Sequence, residues 1–389
     1  MHLAPHLAAA LLIPLPHVLA AYDLVREYSG SSFFSGWDFY GNYDNLTNGD
    51  VNWVTQANAT QSKLAYVDDS GHAIIKVDNT TFVPYNYKRD TVRITTTDYF
   101  AVGSVIVFDA NHLPYGCSVW PAFWTKGENW PIGGEIDIIE GVNLMTYNQM
   151  ALHAQTGCTK ATSVTQSGTT GGTNCTDGSG CTVAENQSNS YGASFANAGG
   201  GVWATQFDES GIYIWFWSRS SVPSSVSSAS SSIDTSSWGT PSASYPASSC
   251  NITEFFTPQQ LVIDITLCGD WAGVASVYQA TCGGDGTATA CYLDNVINNG
   301  TNYTYAYFDI NYVKVFSLTD GVLVPSTSGG STVLVTQTGS AAGASGSSTA
   351  TGSSGQSGGN AAVAGVVSAG SYVAAVGATV LAAVSWMLL

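Results

Sequence analysis

The sequence predicts an all-β chain in which two antiparallel sheets pack face to face, and three observations carry that reading. Short runs rich in β-branched and aromatic residues recur over positions 73–77, 91–95, 104–109, 211–217, 261–267 and 312–316. Each run is bounded by Gly, Asn, Asp or Ser, residues that turn a chain. No segment holds a helical spacing of apolar residues over three turns. With 44% apolar residues in 389, the chain has enough for one large core, and two packed sheets are the default way to bury it.

Taken in order, residues 1–20 predict a signal peptide: an apolar run over 7–15 leads to small residues at Val18-Leu19-Ala20. Only His2 and His6 stand where a basic leader region belongs. Residues 21–320 carry the strand signals and form a single domain. Within it, 159–190 lacks strand signals and holds two cysteines, which predicts a long stapled loop; the serine run at 218–232 predicts a surface insertion. Residues 321–360 are mostly Ser, Gly, Thr and Ala and predict a flexible or O-glycosylated stalk. An apolar tail follows within 361–389, and no Lys or Arg occurs after Lys314. Small residues Asn360-Ala361-Ala362, a spacer and that tail fit a glycosylphosphatidylinositol signal, with Asn360 as the attachment residue; a transmembrane tail is the competing reading.

Lys and Arg number 10 against 27 Asp and Glu, a balance that argues against nucleic acid as a partner. Charged residues are only 10% of the chain while Tyr, Trp and Gly abound, which suits a neutral, hydroxyl-rich ligand. Cysteines 117, 158, 175, 181, 250, 268, 282 and 291 form no C-x-x-C pair, so disulfides in an oxidising compartment are expected, with connectivity open. Glycosylation sequons at Asn45, Asn58, Asn79, Asn174, Asn186, Asn251, Asn299 and Asn302 fit that compartment.

The chemistry concentrates in Gly133-Gly134-Glu135-Ile136-Asp137-Ile138-Ile139-Glu140-Gly141. On a regular strand Glu135 and Asp137 share a face and Glu140 points the other way. A bulge at Ile138-Ile139 would return Glu140 to the shared face, leaving Glu135 and Glu140 about 13 Å apart at Cα. Leaning together, the two carboxyls would approach the roughly 5–5.5 Å of a retaining glycosidase. Three acids on one face also drive their proton affinities apart, so that one stays protonated. Calcium ligation is the bland alternative, but the turn glycine and alternating Asp/Asn of a loop site are missing.

Glu135-Ile-Asp137-Ile-Ile-Glu140, preceded by Trp120-Pro-Ala-Phe-Trp124 and Trp130-Pro-Ile-Gly-Gly and followed by Cys268-Gly-Asp-Trp271-Ala-Gly, resembles glycoside hydrolase family 16, and within it fungal laminarinase-type endo-β-1,3(4)-glucanases. The resemblance implies a curved, concanavalin A-like jelly roll whose concave sheet carries a β-glucan in a groove. It implies Glu135 as nucleophile, Glu140 as acid/base and Asp137 as the residue orienting Glu135, with no metal or other cofactor. It also implies that Trp124, Trp130 and Trp271 stack on sugar rings. For Trp120, core packing and stacking are equal readings. His153 is raised to a contact of Asp137 or sugar, whereas His112 has no such support. The expected enzyme is a monomer held at the outer membrane leaflet by its lipid anchor. A transglycosidase and a non-catalytic glucan-binding module are the alternatives; transglycosidases of the family resemble E-x-D-x-E, one residue shorter.

Overall fold

Alternation along the long strands turns one face of each sheet inward, and the two inward faces make the core. The computed structural model describes residues 21–337, apart from 177, 320, 329 and 330. The sheet that holds the carboxylates runs, in spatial order, Thr169–Thr170, Cys181–Ala184, Gln149–His153, Glu135–Glu140, Val119–Gly127, Gln259–Leu267, Arg93–Thr96 and Trp37–Phe39, every pairing antiparallel. Glu135–Glu140 therefore lies inside the sheet, its backbone fixed from both sides. We call this the acid sheet.

The back sheet runs Ser232–Ile233, Tyr22–Ser29, Tyr307–Ser317, Ser104–His112, Gly201–Asp208, Gly211–Ser218 and Ala243–Pro246, with Ala65–Val67 and Ala73–Lys76 joined beside Tyr307–Ser317. Phe108 of the back sheet meets Phe123 of the acid sheet with ring centroids 4.4 Å apart, and Ile136, Ile138 and Ile139 fill the same core. The expected all-β sandwich is what the chain forms.

Three expectations need correction. The stretch 159–190 is not wholly loop: Thr169–Thr170 and Cys181–Ala184 extend the acid sheet, and their threonine- and glycine-rich surroundings gave no apolar alternation to read. The serine segment is more than a surface insertion, since its Val226 and Ala229, with Ile233 and Trp238 just after it, seal the outer face of the back sheet against Val105, Val107, Val202 and Trp215. The stalk cannot begin at 321, because Val322–Ser328 and Ser331–Gln337 pair as a hairpin and Leu323 bridges Tyr99. Alternating Val and Leu among the serines and threonines supply that β propensity.

The cysteines, left unassigned by the sequence, pair as Cys117–Cys282, Cys158–Cys250, Cys175–Cys181 and Cys268–Cys291. Seven sequon asparagines are exposed, while Asn79 is half-buried and accepts from Lys76 Nζ at 2.9 Å. The leader at 1–20, Asn360 and the tail at 361–389 lie outside the described residues.

Candidate active site

Glycine sets the entry to the acid strand. Gly134 has φ +78°, and a Cβ there would lie 2.5 Å from the Phe256 ring, so the turn excludes a side chain. From Asp137 to Glu140 the acid strand advances three residues while Trp124 to Ala122 and Ala151 to Gln149 advance two, which places the bulge where it was expected. Ile138 and Ile139 are both buried in the core, and Glu140 emerges beside Asp137 on the outer face. In cross-strand register Glu135 stands opposite Lys126 and His153, Asp137 opposite Trp124 and Ala151, and Glu140 opposite Ala122 and Gln149.

Each glutamate is held by a different tryptophan. Trp130 Nε1 donates to Glu135 Oε2, and Trp120 Nε1 donates to Glu140 Oε1 at 2.8 Å. Between them, Asp137 Oδ2 lies 3.2 Å from His153 Nε2. Burial, then the charge of Asp137, push the Glu135 carboxyl up to about 8, against the pull of His153 and the Trp130 N–H. Glu140 is held well above the usual carboxylate range by burial and by Asp137 and Glu135, with Trp120 opposing. Asp137 is raised as well, chiefly by burial, while its hydrogen bond with Glu135 works the other way. Burial thus pushes all three carboxyls towards their protonated forms, and an indole N–H on each glutamate opposes that push.

The residues from 37 to 316 match the family model described as XgeA-like, catalytic GH16 domain. The chain belongs to glycoside hydrolase family 16. A probable endo-1,3(4)-β-glucanase of Aspergillus fumigatus is 39% identical over 301 residues, which cover 76% of this chain and 45% of that relative. The chain thus matches less than half the length of that fungal protein. Laminarinase 16A of Phanerochaete chrysosporium, solved with two β-glucans in its donor and acceptor sites, is 38% identical with a TM-score of 0.72, covering 77% of this chain and 100% of that one. A solved GH16 elongating β-1,3-glucosyltransferase is also 38% identical, with a TM-score of 0.70, covering 76% of this chain and 100% of that one.

In this GH16 domain the other sequence candidates fall as follows. Trp120 is half-buried and meets the Trp271 ring edge-on, centroids 5.6 Å apart. Trp124 is on the acid-bearing face but only 7% exposed, packed with Ala122, Val262 and Trp130 in a cluster separate from the main core. Its indole N–H donates to Asp264 Oδ1 at 2.8 Å. His112 stacks on Tyr307 in the back sheet, away from the acids.

Sequence reasoning missed Asp264, Arg93 and Asn148. Burial lifts the Asp264 carboxyl to about 6, opposed by the Arg93 charge, and the Arg93 guanidinium lies over the rings of Tyr40 at 4.8 Å and Trp124 at 5.9 Å. A lone acid inside the apolar run Leu261-Val-Ile-Asp-Ile-Thr-Leu was the available signal for Asp264. Nothing in the sequence marked Asn148. Among the described residues, Glu135, Asp137 and His153 form the one group whose donor atoms all lie within 4.8 Å and could hold a metal ion. Within that group Asp137 lies against the imidazole and Glu135 accepts the Trp130 N–H.

Proposed function

We propose that this GH16 domain is a retaining endo-glycosidase that cuts internal β-1,3 and/or β-1,4 linkages of β-1,3(4)-glucans, acting as a monomer. One observation carries the reading: a bulge places two glutamates on the outer face of one strand, each gripped by its own indole N–H, with Asp137 between them. Glu140, kept protonated by burial and its acidic neighbours, gives its proton to the glycosidic oxygen as the bond from that oxygen to the anomeric carbon breaks. Glu135 bonds to that carbon in its ionised form, which the Trp130 N–H and His153 favour against the opposing effect of burial. In the second step Glu140 takes a proton from water, whose oxygen displaces Glu135 with net retention. Asp137 orients Glu135 and tunes the pair through His153. Trp271, Trp120 and Trp130 offer apolar faces to sugar rings, and Trp124 supports them from beneath.

Proton NMR of the first products from laminarin and lichenan tests this. New reducing ends that start as the β-anomer support it, and an initial α-anomer rejects the scheme. Transfer to a second glycan is a reading supported by the likeness to the elongating glucosyltransferase. It shares the covalent intermediate and differs only in what displaces Glu135. Product length at high laminari-oligosaccharide concentration measures the division between water and sugar. Four disulfides, the sequence of the leader and the apolar tail support a secreted enzyme anchored at the outer cell surface through Asn360. Release from intact cells by a phosphatidylinositol-specific phospholipase tests that placement.

A further inference from the structure

The bulge that returns Glu140 to the outer face has a structural cost. Ile138 has no register partner on either neighbouring strand, and a bulge leaves backbone groups that the ladder cannot satisfy. One side chain meets both needs. Asn148 Oδ1 accepts from the Glu140 backbone N–H at 2.9 Å, and Asn148 Nδ2 donates to the Ile138 carbonyl at 2.9 Å. The amide therefore spans the extra residue and closes it like a clasp.

Asn148 is itself fixed. It has no exposed surface, its N–H donates to Ser190 Oγ at 3.1 Å, and its carbonyl accepts from the Glu185 N–H at 2.9 Å. Tyr191, next to Ser190, packs so closely on the strand's exit that a Cβ on Gly141 would lie 2.8 Å from its ring. The Gly141 end of the acid strand is thus braced by the segment around 185–191, while Trp120 braces the Glu140 carboxylate from the opposite strand.

We infer that Asn148 is a positioning residue for the proton donor: by clasping the bulge it fixes the direction in which Glu140 leaves the strand. It acts through Glu140 and does not touch the sugar, and the inference rests on the reading of Glu140 as acid/base. The role needs a donor and an acceptor on one short side chain. Aspartate lacks the donor, alanine lacks both, and glutamine is a methylene too long for the same gap. Without the clasp the Ile138 and Glu140 backbone groups must find new partners, and a shift of about 1 Å at the carboxyl costs on the order of 10²-fold in rate.

The test separates acid positioning from general damage by varying the leaving group. Full-length wild type, Asn148→Asp, Asn148→Ala and Ser190→Ala are assayed on lichenan and on a laminaribiosyl 2,4-dinitrophenyl glycoside, whose phenolate departs without a proton. Expected for Asn148→Asp is a fall of about 10²-fold in kcat on lichenan, with KM little changed, and a fall of under about threefold for bond cleavage in the aryl glycoside. Single-turnover release of dinitrophenol reads that first step alone. Ser190→Ala, which loosens Asn148 without removing its amide, gives the same selectivity at smaller size and carries the test if the Asn148 variants do not fold. Equal losses on the two substrates, or no loss on lichenan, overturn the role of Asn148. A wild type that cleaves neither substrate overturns instead the glucanase reading on which it rests.

Discussion

The outer faces of the two sheets make opposite use of the same antiparallel geometry. On the back sheet, Val226 and Ala229 of the serine-rich segment and Ile233 and Trp238 just after it cover the strands with apolar side chains. On the acid sheet the corresponding face carries Glu135, Asp137, Glu140 and Asp264, all with carboxyls lifted by burial. The first arrangement buries apolar area and contributes to stability. The second accumulates mutually repelling acids in positions where their charged forms are poorly solvated, and it persists because the strands beneath are fixed by the core. Chemistry sits where local stability rules are broken.

Substitutions sharpen that contrast. The largest expected effect is on Glu135→Gln, which lowers kcat on laminarin by at least about 10³-fold while the circular dichroism spectrum and thermal transition remain those of a folded domain. Full activity in this variant removes the contrast altogether. Next, Trp238→Ala on the back sheet empties a site that is 5% exposed and packed edge-on to Trp215 and Trp217. It should cost about 3–5 kcal/mol in denaturant unfolding, with kcat per folded molecule unchanged. A large loss of kcat in the folded fraction would join the two faces functionally.

A third expectation concerns pH. Folding raises the Glu135 carboxyl from 4.5 to about 8, so the folded chain binds that proton more tightly than the unfolded chain. The stability it contributes is full below about pH 4.5 and is lost as pH rises towards about 8. Glu135→Gln therefore melts several degrees above wild type at pH 8, and the excess shrinks towards pH 4; calorimetric scans across that window check the sign. The smallest effect belongs to Trp120→Phe. It removes one N–H that favours ionised Glu140, so the basic limb of the rate profile should move to higher pH, with a loss in kcat of about tenfold or less.

Much of this was legible in the residues. The strand runs at 104–109, 211–217 and 261–267 fall inside Ser104–His112, Gly211–Ser218 and Gln259–Leu267, because β-branched alternation and its flanking turn residues are local signals. The bulge followed from parity alone: three acids spaced two and three apart can share a face only with one extra residue. The pairing of Glu135 with Trp130 joins residues five positions apart and was within reach, whereas Asn148 was not. Its two bonds cross a connection in which nothing but the folded geometry distinguishes one asparagine from another. The hairpin at 322–337 was missed for a different reason: a serine- and threonine-rich composition outweighed the alternation of Val322, Val324, Val333 and Val335.

Removing one isoleucine from the Ile138-Ile139 pair would leave a regular strand on which all three acids still face the same way, with Glu140 still four ladder steps from Glu135, because the extra residue has no partner across the ladder. A single-codon deletion is thus a viable path between two spacings of the same catalytic apparatus. The amide of Asn148 would then have no kink left to bridge, which makes that position free to drift in any descendant that had lost the extra residue.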